Sequence, residues 1–130
     1  MASIFSKIVS GEIPCHKIAE NERFLAFLDI MPLAQGHVLV IPKKETDYIF
    51  DIENEEYTAL WAFAKNVAQA IKKTIPCKKV GIAVVGLEVP HAHIHLVPIN
   101  NVDDMNFSKP KLKPSNEELA QTADKIKQNL

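Results

Sequence analysis

Three histidines stand at every second position, His91, His93 and His95, within Pro90-His-Ala-His-Ile-His-Leu-Val-Pro98. In an extended chain alternate side chains leave the same face, so this spacing lines three imidazoles along one surface. Ala92, Ile94 and Leu96 then point the other way, into a core. Same-face Cα atoms lie roughly 6.7 Å apart and the outer pair about 13 Å. His93 therefore has an imidazole on each side, whereas His91 and His95 scarcely reach one another. A neutral imidazole, with an ordinary pKa of about 6.5, is a competent nucleophile near pH 7. Crowded imidazoles resist carrying several positive charges, so a cationic ring can sit beside a neutral one. The row can place a nucleophile next to a proton donor, with His93 as the attacking group. Two other readings compete: a polar face turned to solvent, and a zinc site in which His-x-His supplies two ligands. No cysteine lies nearby to complete a zinc set, although His37 or Glu88 could contribute. No metal or cofactor is expected.

Elements must hold this row in place. Val80 to Val85 reads as a buried strand, joined to the histidine strand by the short connection Gly86 to Pro90. Closely linked strands usually pair antiparallel. Upstream, Arg23 to Asp29 and His37 to Ile41 are apolar, β-favouring runs, separated by turn punctuation at Pro32 and Gly36. Lys17 to Asn21 is a shorter candidate strand. Between Asn54 and Ile75 the period changes: Tyr57, Leu60, Trp61, Ala64, Val67, Ala68 and Ile71 recur at spacings of three and four. That is an amphipathic helix, with acidic residues at its start, Lys72 and Lys73 at its end, and Pro76 to stop it. Asn100 to Pro114 reads as a polar surface loop. Ser115-Asn-Glu-Glu118 then opens a terminal helix with a capping box.

The bulk numbers exclude several function classes. A chain of 130 residues fits one domain with a sizeable core. A net charge of −1 gives no electrostatic case for nucleic acid or a membrane surface as partner. No apolar stretch approaches a membrane span, and Met1 to Pro14 lacks the apolar block of a signal peptide. Cys15 and Cys77 carry no metal or redox spacing and read as free thiols in a reducing compartment. A cytoplasmic location is expected.

The histidine row and the blocks around it closely resemble the histidine triad (HIT) family, in its Hint-like branch. His91-Ala-His-Ile-His-Leu-Val97 satisfies the family signature of His-x-His-x-His followed by two apolar positions. Ile4-Phe-Ser-Lys-Ile8, Gly11-Glu-Ile-Pro14, Leu25-Ala-Phe-Leu-Asp-Ile30 and Gly36-His-Val-Leu-Val-Ile-Pro-Lys-Lys44 follow the branch in order and spacing. The resemblance implies an α+β fold of HIT type: one domain over residues 1–130, its core at 3–99 and a C-terminal loop and helix at 100–130. It implies an antiparallel sheet of about five strands with one long helix and a C-terminal helix, the sheets of two copies joining in a homodimer.

The same resemblance implies a nucleotidyl hydrolase acting on the α-phosphate, with a purine nucleoside 5′-phosphoramidate as substrate. His93 is then the nucleophile that forms a transient nucleotidyl-histidine. His95 contacts the phosphate or helps protonate the leaving group, His91 orients the row, and His37 matches a fourth histidine outside it. Asp29 would hold the ribose hydroxyls, and Ile4, Phe5, Ile8, Phe27 and Ile30 would surround the base. Before the row the chain departs from the branch. Gly86 keeps a glycine, but Leu87 stands where Gln is common and Glu88 where Ser or Thr is common. Some relatives bind a structural zinc through N-terminal cysteines; Ser3 and Ser6 stand there instead. The alternatives are a dinucleoside polyphosphate hydrolase, a nucleotidyl transferase, and a nucleotide-binding regulatory module with little turnover.

Overall fold

The computed structural model describes residues 2–130. Its strands are β1 (Lys17–Glu20), β2 (Phe24–Leu28), β3 (Val38–Pro42), β4 (Lys79–Ala83) and β5 (Ile94–Ile99). They form one antiparallel sheet in the order β1-β2-β3-β5-β4. Three helices accompany it: α1 (Ile4–Ser10), α2 (Asn54–Thr74) and α3 (Asn116–Lys127). Among the described residues, no helix is long and apolar enough to cross a membrane.

Strand alternation divides the apolar residues between two layers. Phe24, Ala26 and Leu28 of β2, Val38 and Val40 of β3, and Ile94 and Leu96 of β5 share one core. Leu60, Ala64, Val67 and Ile71 of α2 and Leu119, Ala123 and Ile126 of α3 fill it from that side. These helical positions recur at the spacings that put them on one stripe, so burial of that stripe is what holds each helix to the sheet. The opposite face carries a smaller cluster, Leu25, Phe27, Leu39 and Ile41 with Phe5 of α1. The register Leu39↔His95 sets His95 on this second face. The long helix covers one side of the sheet, and the chemistry stands on the other.

Four features differ from the sequence expectation. First, residues 4–10 form a helix that periodicity did not mark. Its signals are the caps: Ser3 Oγ accepts from Ser6 N–H, and Gly11 closes the C-terminus at φ 87°. Second, β4 is not buried. It is an edge strand whose Ile82 is 54% exposed; a Val/Ile run reads alike whether its partner is the same chain or something else. Third, the row is not one straight strand. β5 starts at Ile94, so only His95 lies in the ladder, and His91 and His93 sit in the irregular segment before it. Fourth, the loop after β5 holds a 3-10 turn at Val102–Met105 and then returns to the β2–β3 connection, where Leu112 N–H donates to Pro32 C=O at 2.9 Å.

Candidate active site

The last residue of β3 and the stretch after it hold the start of the histidine segment. His91 Nε2–H donates to Pro42 C=O at 2.7 Å, and Ala92 N–H donates to Thr46 C=O at 2.7 Å. On its other ring nitrogen His91 meets Ser3 Oγ at 2.8 Å. A carbonyl can only accept, so the proton of His91 is on Nε2 and its Nδ1 accepts from the serine hydroxyl. Burial, the larger effect, lowers the His91 pKa and keeps the ring neutral.

The same reasoning fixes His93. Its Nδ1 lies 2.8 Å from His91 C=O, which must accept, so Nδ1 carries the proton and Nε2 holds the lone pair. His93 is only 7% exposed, with the Phe5 ring edge-on at 4.9 Å. Its Nε2 makes no hydrogen bond to the described residues, and the only buried, unpartnered side-chain nitrogen or oxygen among them is Trp61 Nε1. The lone pair of His93 Nε2 therefore reaches solvent.

Burial lowers the pKa of His95 to about 4, and that of His37 to about 3. His37 is 1% exposed; its Nδ1 accepts from Leu33 N–H at 3.0 Å. A neutral His37 then carries its proton on Nε2, which donates to His95 Nδ1 at 2.9 Å. His95 in turn has its proton on Nε2. The ring centroids of His93 and His95 are 4.9 Å apart. The arrangement is a free lone pair on one ring and an N–H donor on the next, each oriented by a backbone group acting directly or through His37.

Asp29 follows β2, where its Oδ1 accepts from Met31 N–H at 2.9 Å and its Oδ2 lies 3.7 Å from His37 Nε2. Burial raises its pKa. Phe5 and Phe27 pack edge to face at 5.7 Å beneath the row. Ile8 lies at the margin of their cluster, whereas Ile4 and Ile30 are 50% and 63% exposed. Glu88 is exposed on the connection before the row, and Gly86 takes φ 71° there. Two neighbours escaped sequence reasoning. Phe107 places its ring 4.8 Å from that of His95, and Lys111 donates to Phe107 C=O, its charge bearing on both Asp29 and His37. Both come from the loop after β5, where no motif marks them.

Two groups of side chains invite a metal, and neither fits one. Ligand atoms of Asp29, His37 and His95 lie within 4.8 Å of one another. A metal on His37 Nε2 would require a proton on Nδ1, where Leu33 N–H already points. At the second group, Ser3, Ser6, Glu45 and His91 present two hydroxyls in place of the thiolates that zinc prefers, and they satisfy one another by hydrogen bonds.

Comparison with known proteins places these features. The family model of the HIT domain matches residues 10–102. The adenosine 5′-monophosphoramidase HNT1 of Saccharomyces cerevisiae is 41% identical over 98 residues, 75% of this chain and 62% of that protein. Among solved structures, a Hit-like protein from Bartonella henselae superposes with a TM-score of 0.85 at 29% identity, covering 98% of this chain and 96% of its own. A zinc-bound histidine triad family protein from Mycobacterium smegmatis gives 0.84 at 30% identity, covering 99% and 93%.

Proposed function

The chain belongs to the HIT domain family, and from that premise we propose that it hydrolyses purine nucleoside 5′-phosphoramidates through a covalent intermediate on His93. The observation that carries the reading is the pair of outward-facing ring nitrogens, a lone pair on His93 Nε2 beside an N–H on His95 Nε2. The similarity to a yeast adenosine 5′-monophosphoramidase supports the substrate class.

His93 Nε2 attacks the α-phosphorus, forming an N–P bond as the bond to the leaving nitrogen breaks. The departing amine takes a proton from solvent. The ring becomes cationic on nucleotidylation, and its Nδ1–H, held by His91 C=O, gains strength as a charge-assisted hydrogen bond. His95 Nε2–H donates to a phosphoryl oxygen; with a pKa of about 4 it is a positioned dipole rather than a proton source at neutral pH. Water then attacks the same phosphorus. It releases the nucleoside monophosphate, returns the borrowed proton, and restores neutral His93. Asp29 Oδ2, the carboxylate oxygen not taken by Met31 N–H, is assigned to the ribose hydroxyls. The base is assigned to the apolar surface formed by α1 and Phe27 with Ile30.

Two copies join across β4 in this reading. Support comes from the exposed edge and from Tyr48, Phe50, Ile82, Val85 and Leu87 around it, each more than half exposed. The enzymatic claim is tested by comparing adenosine and guanosine 5′-phosphoramidates with a dinucleoside polyphosphate. The expected result is a kcat/KM at least about tenfold higher for the phosphoramidates, a gap of about 1.4 kcal/mol in transition-state binding. A preference for the polyphosphate would assign the site to P–O cleavage instead.

A further inference from the structure

A hydrogen-bonded cluster outside the reacting atoms ties α1 to the row. Glu45 Oε1 accepts from Ser3 N–H at 2.7 Å and from Ser6 Oγ–H at 2.7 Å. Ser3 Oγ accepts from Ser6 N–H at 3.0 Å as the cap of α1 and donates to His91 Nδ1 at 2.8 Å. Glu45 itself sits between Pro42 and Thr46, whose carbonyls hold His91 and Ala92. These bonds leave His91 no freedom to rotate or to change tautomer. The carbonyl of that same residue fixes His93 Nδ1. α1 also carries Phe5, the ring packed on His93.

We propose that Ser3 and Glu45 are positioning residues that set the direction of the His93 lone pair through His91, a task done here by hydroxyl and carboxylate hydrogen bonds. This rests on the reading of His93 as the attacking group. The Ser3 backbone N–H and the Ser6 hydroxyl hold the Glu45 carboxyl at about 2, so it accepts as an anion throughout the neutral range. Ser3 is 6% exposed and Glu45 is exposed, so the two ends of the relay can be cut independently.

The test uses the full chain with four substitutions, Ser3→Ala, Ser3→Thr, Glu45→Ala and Glu45→Gln. Ser3→Ala and Glu45→Ala are expected to lower kcat about tenfold while leaving KM within about twofold. Ser3→Thr keeps the hydroxyl and Glu45→Gln keeps an acceptor, so each restores most of the rate. Nitrogen-15 spectra of the imidazoles report the relay directly: His91 is expected to keep its Nε2–H tautomer, held by Pro42 C=O, while in Ser3→Ala its Nδ1 resonance shifts with loss of the hydroxyl donor and the His93 resonances shift or broaden with it. Unchanged kcat in both alanine variants, or equal losses in Thr and Ala, overturns the proposal. Should Ser3→Ala fail to fold, Glu45→Ala, at an exposed position, decides alone. A wild type without turnover would defeat the functional reading, while His93 resonances unmoved in both alanine variants would still defeat the relay.

Discussion

At the scale of single residues, the buried imidazoles make stability depend on pH in a calculable direction. His37 and His95 are held at about 3 and about 4 in the native chain, against about 6.5 when unfolded. Between those limits the unfolded chain binds more protons than the native one, so stability falls as pH drops from 6.5 towards 4. Each histidine contributes about 1.4 kcal/mol per pH unit within its window, and nothing above pH 6.5. Denaturant titrations between pH 7 and 4.5 are expected to show this loss. His37→Leu should remove about one histidine's share of the slope and lower kcat about tenfold, because the donor that fixes the tautomer of His95 is gone. A slope unchanged in that variant would mean that His37 does not titrate as its burial requires. The spacing of the row was legible in the sequence, and it is this spacing that makes the central imidazole the proposed attacking group. The proton positions were not, because they depend on Pro42, Ser3 and Leu33, which only the fold brings to the rings.

Elements differed in how plainly they could be read. α2 was found with its bounds almost intact because seven apolar positions repeat on one stripe across 21 residues. α1 has only seven residues and leans on its caps and on Glu45, a long-range partner that no local window contains. β4 was recognised as a strand but assigned the wrong environment. The turn into β3 shows how an element's end can serve the site. Gly36 sits at φ 90°, and an added Cβ there would lie 2.8 Å from Ile75 Cγ1, on the residue that caps α2. His37 follows directly. Gly36→Ala is expected to cost about 1–2 kcal/mol from the left-handed backbone alone, with further loss from displacing Ile75. Urea midpoints check the stability, and kcat should fall with it because His37 moves. An unchanged midpoint would show that this turn tolerates a side chain.

At the scale of the whole molecule, the β4 edge of the sheet is flanked by exposed apolar side chains. A cavity of about 550 Å³ opens between Tyr48, Phe50, Trp61 and residues 82–87. Trp61 Nε1 lies buried nearby without an acceptor among the described residues. Apolar surface of this extent beside an open strand edge invites pairing with an equivalent edge. Light scattering coupled to gel filtration is expected to give twice the chain mass. Ile82→Lys, which puts a charge on the exposed edge, should shift the protein to a single chain without loss of helix content. A wild type that stays single at high concentration would contradict the paired arrangement. None of this could be read from composition, since an apolar strand run has the same look in a core and at an interface.

The most direct test of the chemistry is to mix the protein with adenosine 5′-phosphoramidate, quench within milliseconds in denaturant held at neutral to alkaline pH, and locate any adduct by tandem mass spectrometry. An adenylyl increment on His93 that forms and decays at rates consistent with kcat, and that is absent from His93→Ala, is the expected result. Turnover without an adduct, or an increment on His95 in place of His93, would contradict the account.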